Sequence, residues 1–217
     1  MRLDTYQAEM PAESGKSAAA TDRYHHGDLR AALLEAAEAE LAERGIEGFS
    51  LRGVAKRAGV SHAAPAHHFG ESAGLLTALA DIGFRRFIDC QKKEMAKAAP
   101  DAASQLVAAG LGYMNFALDN PALFRLIFSS RRPDYEDRSL NESAAQAFTM
   151  LVGMTAAVTG KDAFADPDAM RDVTAVWAIA HGIADLLVSG RLGWLGGLPQ
   201  QERDQVVRDI IARMVRK

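Results

Sequence analysis

Apolar residues along this chain recur every three or four positions over long stretches, the spacing that gathers them on one face of a helix. Leu29, Leu33, Ala36, Ala37 and Leu41 form the first such stripe, with Asp28 placed to cap it and Gly45 to end it at positive φ. Ser50 then caps a short helix over 51–58 that turns Leu51, Val54, Ala55 and Ala58 to one side. Gly59 breaks it, and Ser61 is placed to cap a second short helix through His68. A longer helix is predicted from Ser72 to Ala98, stopped by Pro100, and further helices at about 102–119, 121–130, 138–158, 167–190 and 200–215. Pro121 and Pro167 each suit a first helical turn. The pattern predicts an all-α fold of about nine helices, a three-helix N-terminal head running through a long helix into a C-terminal helical bundle.

Composition agrees with this reading and sets the domain limits. Alanine is abundant and aromatics are sparse, which favours helices over sheet. Residues 1–22 are small and polar, with Pro, Gly and Ser, and are expected to form a disordered arm. The head is expected over 23–70 and the bundle over 71–217, without a flexible linker. The N-terminus has no apolar stretch of a secretory signal, and no run approaches the roughly 18 apolar residues of a membrane helix. Cys90 is the sole cysteine, which excludes an intramolecular disulfide and a multi-cysteine zinc site. A cytoplasmic location without a membrane partner is the expectation. A net charge of −3 counts weakly against a nucleic-acid partner, because affinity for DNA depends on where the basic groups lie.

The two short helices carry the first candidate chemistry. Ala58-Gly59-Val60 is a tight turn in which glycine accepts positive φ and Val60 can tuck inward, the turn a helix-turn-helix needs. Pro65 lies four residues after Ser61, so the carbonyl it disturbs belongs to that cap. Small residues on the second helix allow close approach to a major groove, where alanine methyls meet thymine methyls and His62 can reach a base edge. Arg52, Lys56 and Arg57 on the preceding helix are placed for phosphates, together with the helix N-termini. The expected DNA-binding set is Ser50, Arg52, Lys56, Arg57, Ser61 and His62, continued by Ala63, Ala64, His67 and His68.

From Tyr24 to Phe87 the chain resembles the TetR/AcrR family of bacterial one-component regulators, through YHHGDLRAALLEAAEAELAERGIEGFSLRGVAKRAGVSHAAPAHHFGESAGLL. The most specific part is FSLRGVAKRAGVS, followed by HHF and LL. In the bundle, NPALFRLIF at 120–128 and WAIAHG at 177–182 resemble the subfamily with a WHG motif, here Trp177, His181 and Gly182. The resemblance implies a homodimer of subunits that each pair a DNA-binding head with a ligand-binding and dimerisation bundle. It implies that the last two long helices, 167–190 and 200–215, form the subunit interface. It also implies a ligand-responsive repressor, released from a double-stranded operator by a small, largely apolar effector. Two family phosphate anchors, a tyrosine on the recognition helix and a lysine at the next helix start, are replaced by Ala66 and Ser72. His67, His68 and the arm residues Arg23, His25 and His26 offer compensation.

The bundle supplies an expected ligand-binding set of Tyr113, Phe116, Phe124, Phe128, Phe148, Met154, Trp177 and His181. Residues at such spacing are more often plain core, and it is the resemblance that implies a pocket. His181 shares a face with Trp177 and Asp185, one turn to either side. It reads either as a ligand-contacting or pH-sensitive group oriented by Asp185, or as a core or interface histidine. His25-His26 and His67-His68 are adjacent pairs whose members diverge, and His62 lies five residues from His67, so no metal site or cofactor is expected. Cys90, among Phe84, Phe87 and Ile88, reads as a packed thiol. The chain has no nucleophile constellation and no phosphate loop, so an enzyme is not expected. The alternative is a small-molecule-binding protein of the same fold with weak or lost operator binding.

Overall fold

The structure is a computed structural model that describes the backbone of residues 18–215 and the side chains of residues 29–213. Its order is α1 (Ala18–Gly48), α2 (Leu51–Ala58), α3 (Ala64–Phe69), α4 (Ser72–Met95), α5 (Ala102–Asp119), α6 (Pro121–Ser129), α7 (Arg138–Thr159), α8 (Pro167–Val188), α9 (Gly193–Gly196) and α10 (Gln200–Val215). The described residues form no strand. The fold is all-α, with the helix-turn-helix head followed by the helical bundle. Residues 1–17 of the expected arm lie outside the described residues, as do the side chains of Arg23, His25 and His26.

Local chemistry explains most boundaries. Ser50 caps α2 by accepting from the Gly53 N–H at 3.1 Å, and Gly59 ends it at φ 67°. Asp101, Asp137 and Asp166 cap α5, α7 and α8 with their carboxylates. Gly45 lies at φ 67°, ψ −178°, and divides α1 from its last turn.

Three details differ from the expected pattern. The α1 backbone is helical from Ala18, so Asp28 lies within the helix instead of capping it. Ala18-Ala19-Ala20 has the highest helix propensity available and extends the helix upstream. Ser61 does not cap α3 through its side chain; its carbonyl accepts from the Ala64 N–H at 3.0 Å and the helix begins at Ala64. With Ser61 as the cap, its carbonyl would need a hydrogen bond from the Pro65 nitrogen, which has no proton. The first regular bond is therefore His67 N–H to the Ala63 carbonyl at 2.9 Å, and Pro65 lies harmlessly in the first turn. The third detail is the single turn α9, which buries Leu195 between α8 and α10.

One hydrophobic core runs through both parts of the molecule. Leu33 and Leu41 of α1, Val54 of α2 and Leu75, Leu76 and Leu79 of α4 continue into the bundle and reach Val207 and Ile211 of α10. Each such leucine contributes about 1.5–3 kcal/mol on burial. Helix α4 is the common strut. Its closest crossing is with α5, where a Cβ on Gly112 would lie 2.5 Å from Gln91 Cα. Only glycine permits that approach.

Candidate functional site

In the head, Arg52, Lys56, Ser61, His62, Ala63 and His67 are exposed, as is Ser50; Ala64 and His68 are half-buried. Pro65 is buried against the domain. Helix α3 thus offers a small-residue face edged by His62 and His67, with Arg52 and Lys56 projecting from α2. Arg57 differs from the others of the expected set. Its Nε donates to Glu40 Oε2 at 3.1 Å and its terminal nitrogen to Glu43, so its guanidinium ties α2 to α1. Hydrogen bonding to Arg57 holds the Glu43 carboxyl below the usual glutamate range. Gly53 makes the arrangement possible, since a Cβ there would lie 1.9 Å from Glu40 Oε1. The same R-G-V-A-K-R stretch thus divides into two cations facing solvent and one holding the domain together.

The bundle encloses a cavity of about 320 Å³ between α4, α5, α7 and α8. Five of the expected ligand residues line it: Tyr113, Phe128, Phe148, Met154 and Trp177. Phe116 and Phe124 do not; both are fully buried in the core behind the wall. His181 is also behind the wall. Its ring stacks on Phe124 at 5.4 Å, and its Nδ1 pairs with the Tyr113 hydroxyl at 2.9 Å. Asp185 is exposed and has no bond to His181 among the described residues, so Tyr113 takes the orienting role expected of it. Burial pushes the Tyr113 hydroxyl well above the ordinary tyrosine range, with hydrogen bonding to the Trp177 indole offsetting part of the rise. The phenol therefore stays neutral.

Further wall residues come from positions whose spacing reads as plain core. Phe84, Phe87 and Gln91 of α4 line the cavity, as do Tyr135 of the α6–α7 loop and Ile211 of α10. Phe84, Phe87 and Gln91 share one helix face, and a glutamine in that apolar stripe is the available signal. Tyr135 lies in a loop, where periodicity has nothing to report. Among the described residues no three metal-binding side chains gather, and no helix is long and apolar enough to cross a membrane. Burial raises the Cys90 thiol, which favours its protonated form.

Two polar tethers join the bundle to the head. Arg132 donates to the Ile46 carbonyl at 2.8 Å and to Ser72 Oγ at 3.3 Å, bridging the α6–α7 loop to the end of α1 and the start of α4. In that loop the Asp134 N–H donates to Thr77 Oγ1 at 2.8 Å, and Tyr135 Oη to the Ile127 carbonyl at 2.9 Å. The second tether is Arg86 of α4, which donates to both carboxylate oxygens of Glu38 in α1 and to Asn120 Oδ1 at 2.6 Å. The loop that walls the cavity therefore also touches the head.

A helix-turn-helix head on a helical bundle with an apolar cavity defines a class of DNA-binding regulators. Residues 33–79 match the family described as bacterial regulatory proteins, tetR family, and residues 106–214 match the tetracyclin repressor-like C-terminal domain. A protein of unknown function from Rhodococcus sp. RHA1 is 32% identical with a TM-score of 0.70, over 88% of this chain and 96% of that one. A regulatory protein, SCO4313, is 26% identical with a TM-score of 0.66, over 89% and 97%. The TetR family transcriptional regulator PfmR from Thermus thermophilus shares the fold at 18% identity and a TM-score of 0.61, over 85% and 94%. No curated protein sequence matches the chain. The chain belongs to the TetR family of bacterial regulatory proteins and is by class a DNA-binding transcription regulator.

Proposed function

We propose that the protein is a ligand-responsive repressor, a homodimer released from its operator when a small, largely apolar molecule fills the bundle cavity. The observation that carries this is the continuity of the α6–α7 loop, where Tyr135 walls the cavity while Arg132, three residues earlier, holds the head. An occupant that displaces Tyr135 moves the loop against α1 and α4. The equilibrium then shifts by the difference in its affinity for the two head positions. DNA is read by α3 and its flank, with Ser50, Ser61, His62, Ala63, Ala64, His67 and His68 at the groove and Arg52 and Lys56 on phosphates. Arg57 is reassigned to positioning α2 against α1. Dimerisation uses α8 and α10. Ile179, Gly182 and Leu186 share the outer side of α8, and a Cβ on Gly182 would meet nothing within 4 Å of its own chain. That outer side is left for a partner helix. The same assignment places the protein in the cytoplasm and gives it no catalytic role.

Footprinting on the DNA flanking its own gene is the direct test. The expected result is a protected site with two half-sites, lost when an organic-solvent extract of the cells is added. A second reading, the same fold without operator binding, is favoured by Ala66 at the family's tyrosine position and by the withdrawal of Arg57 into an ion pair. Absence of any competitor-resistant complex at low salt would select it.

A further inference from the structure

The cavity wall is unequal in its polar chemistry. The Tyr113 hydroxyl is paired with His181, and the Tyr135 hydroxyl is committed to the Ile127 carbonyl. Gln91 is only 6% exposed, lines the cavity, and has no hydrogen-bond partner among the described residues. No buried side-chain nitrogen or oxygen among those residues is both sealed and unpaired. The Gln91 amide therefore keeps open space beside it, and Gln91 is a residue of the cavity wall. An amide that has no protein partner beside an apolar cavity is matched by a ligand group that donates to its oxygen or accepts from its nitrogen. Among the described residues no lining side chain is charged. A carboxylate or ammonium entering here would lose its water and gain no counter-ion.

We infer that the effector is an uncharged, mostly apolar and aromatic-compatible molecule carrying a polar group read by Gln91. This deepens the effector reading proposed for the cavity and rests on it. Gln91 is then the specificity residue of the cavity, while the ring cluster around Phe87 and Phe128 supplies shape-tolerant apolar contact. The position is fixed from outside, because α5 crosses at Gly112 against the Gln91 backbone and leaves the residue little freedom to withdraw.

Three related probes test this on the full-length protein, followed by tryptophan fluorescence and probe emission. N-phenyl-1-naphthylamine is neutral with one N–H; 1-benzylnaphthalene replaces that N–H with CH2; 1-anilinonaphthalene-8-sulfonate adds a negative charge. The amine is expected to bind at least about 10-fold more tightly than the sulfonate. Gln91→Leu is expected to weaken the amine by about 3- to 10-fold while leaving the benzyl compound unchanged or tighter. Retained benzyl binding shows that the variant keeps its fold and cavity, and Gln91→Met provides a second uncharged replacement. Equal binding of the amine and the sulfonate, or equal effects of the substitution on amine and benzyl compound, would overturn the inference and leave the repressor proposal standing. Failure of both neutral probes to bind the native protein would overturn the effector reading itself.

Discussion

The helix-turn-helix head and the bundle differ in where they leave their chemistry. The head packs its apolar residues inward and presents Arg52, Lys56 and His62 to solvent, where a rigid, charged and already shaped ligand can dock. The bundle does the reverse: its cavity is internal and almost entirely apolar, and its one unpartnered wall amide among the described residues belongs to Gln91. A surface site requires only that a few helices be held at the right angle. An internal site requires that a close-packed core leave a void, which costs contacts unless an occupant restores them. The two are joined by a shared core and by polar tethers at Arg86 and Arg132, so neither is energetically independent.

The largest effect should come from the crossing beneath the cavity. Gly112→Leu places a side chain against the Gln91 backbone and is expected to cost roughly 3 kcal/mol or more, read by urea denaturation. Because one core spans both regions, the loss should appear as a single transition, with head and bundle unfolding together. A head that survives with its own later transition would show the two regions to be energetically separate. Next in size is the surface chemistry. Alanine at both Arg52 and Lys56 should weaken DNA binding and make the salt slope shallower by about 1 per residue removed. Arg57→Ala should instead lower the thermal midpoint and leave that slope unchanged, since its charge is held by Glu40 and Glu43.

Smaller effects probe the connections. Gly182→Leu should shift the monomer–dimer equilibrium toward monomer in sedimentation, with little change in the melting of the monomer, because a Cβ there would meet nothing within 4 Å outside its own helix turn. Arg132→Ala should leave the fold intact and reduce the effector-induced loss of DNA affinity by about 5-fold, the scale of one ordinary net hydrogen bond at an exposed site. The smallest effect is electrostatic. Burial acts to raise the Asp81 carboxyl, but hydrogen bonds from Arg85, Ser143 and Ser139 outweigh it and hold it below the ordinary aspartate value. A carboxyl so depressed contributes stability above its unfolded pKa and loses it as pH falls below about 4. Asp81→Asn should therefore flatten that acid limb in pH-dependent denaturation while changing little of the ligand response.

What the chain specifies locally was open to reading along the sequence. Helix periods, the Ser50 cap and the glycine at 59 depend on neighbours within a few residues, and they define the head and its exposed face. Pro65 shows the edge of that legibility: its missing proton moves the N-cap of α3 from Ser61 to Ala63, a local effect that a cap residue alone does not reveal. Only the tertiary structure could separate Tyr113 and Phe128, which wall the cavity, from Phe116 and Phe124, which fill the core behind them. All four lie on apolar helix faces, and a void is a property of several helices at once. The same holds for Arg57, whose sequence context is that of a phosphate contact until α1 brings Glu40 beside it. Charge, period and cap are properties of a segment. Partnership is a property of the packed molecule, because it depends on which distant groups the core brings within a few ångströms.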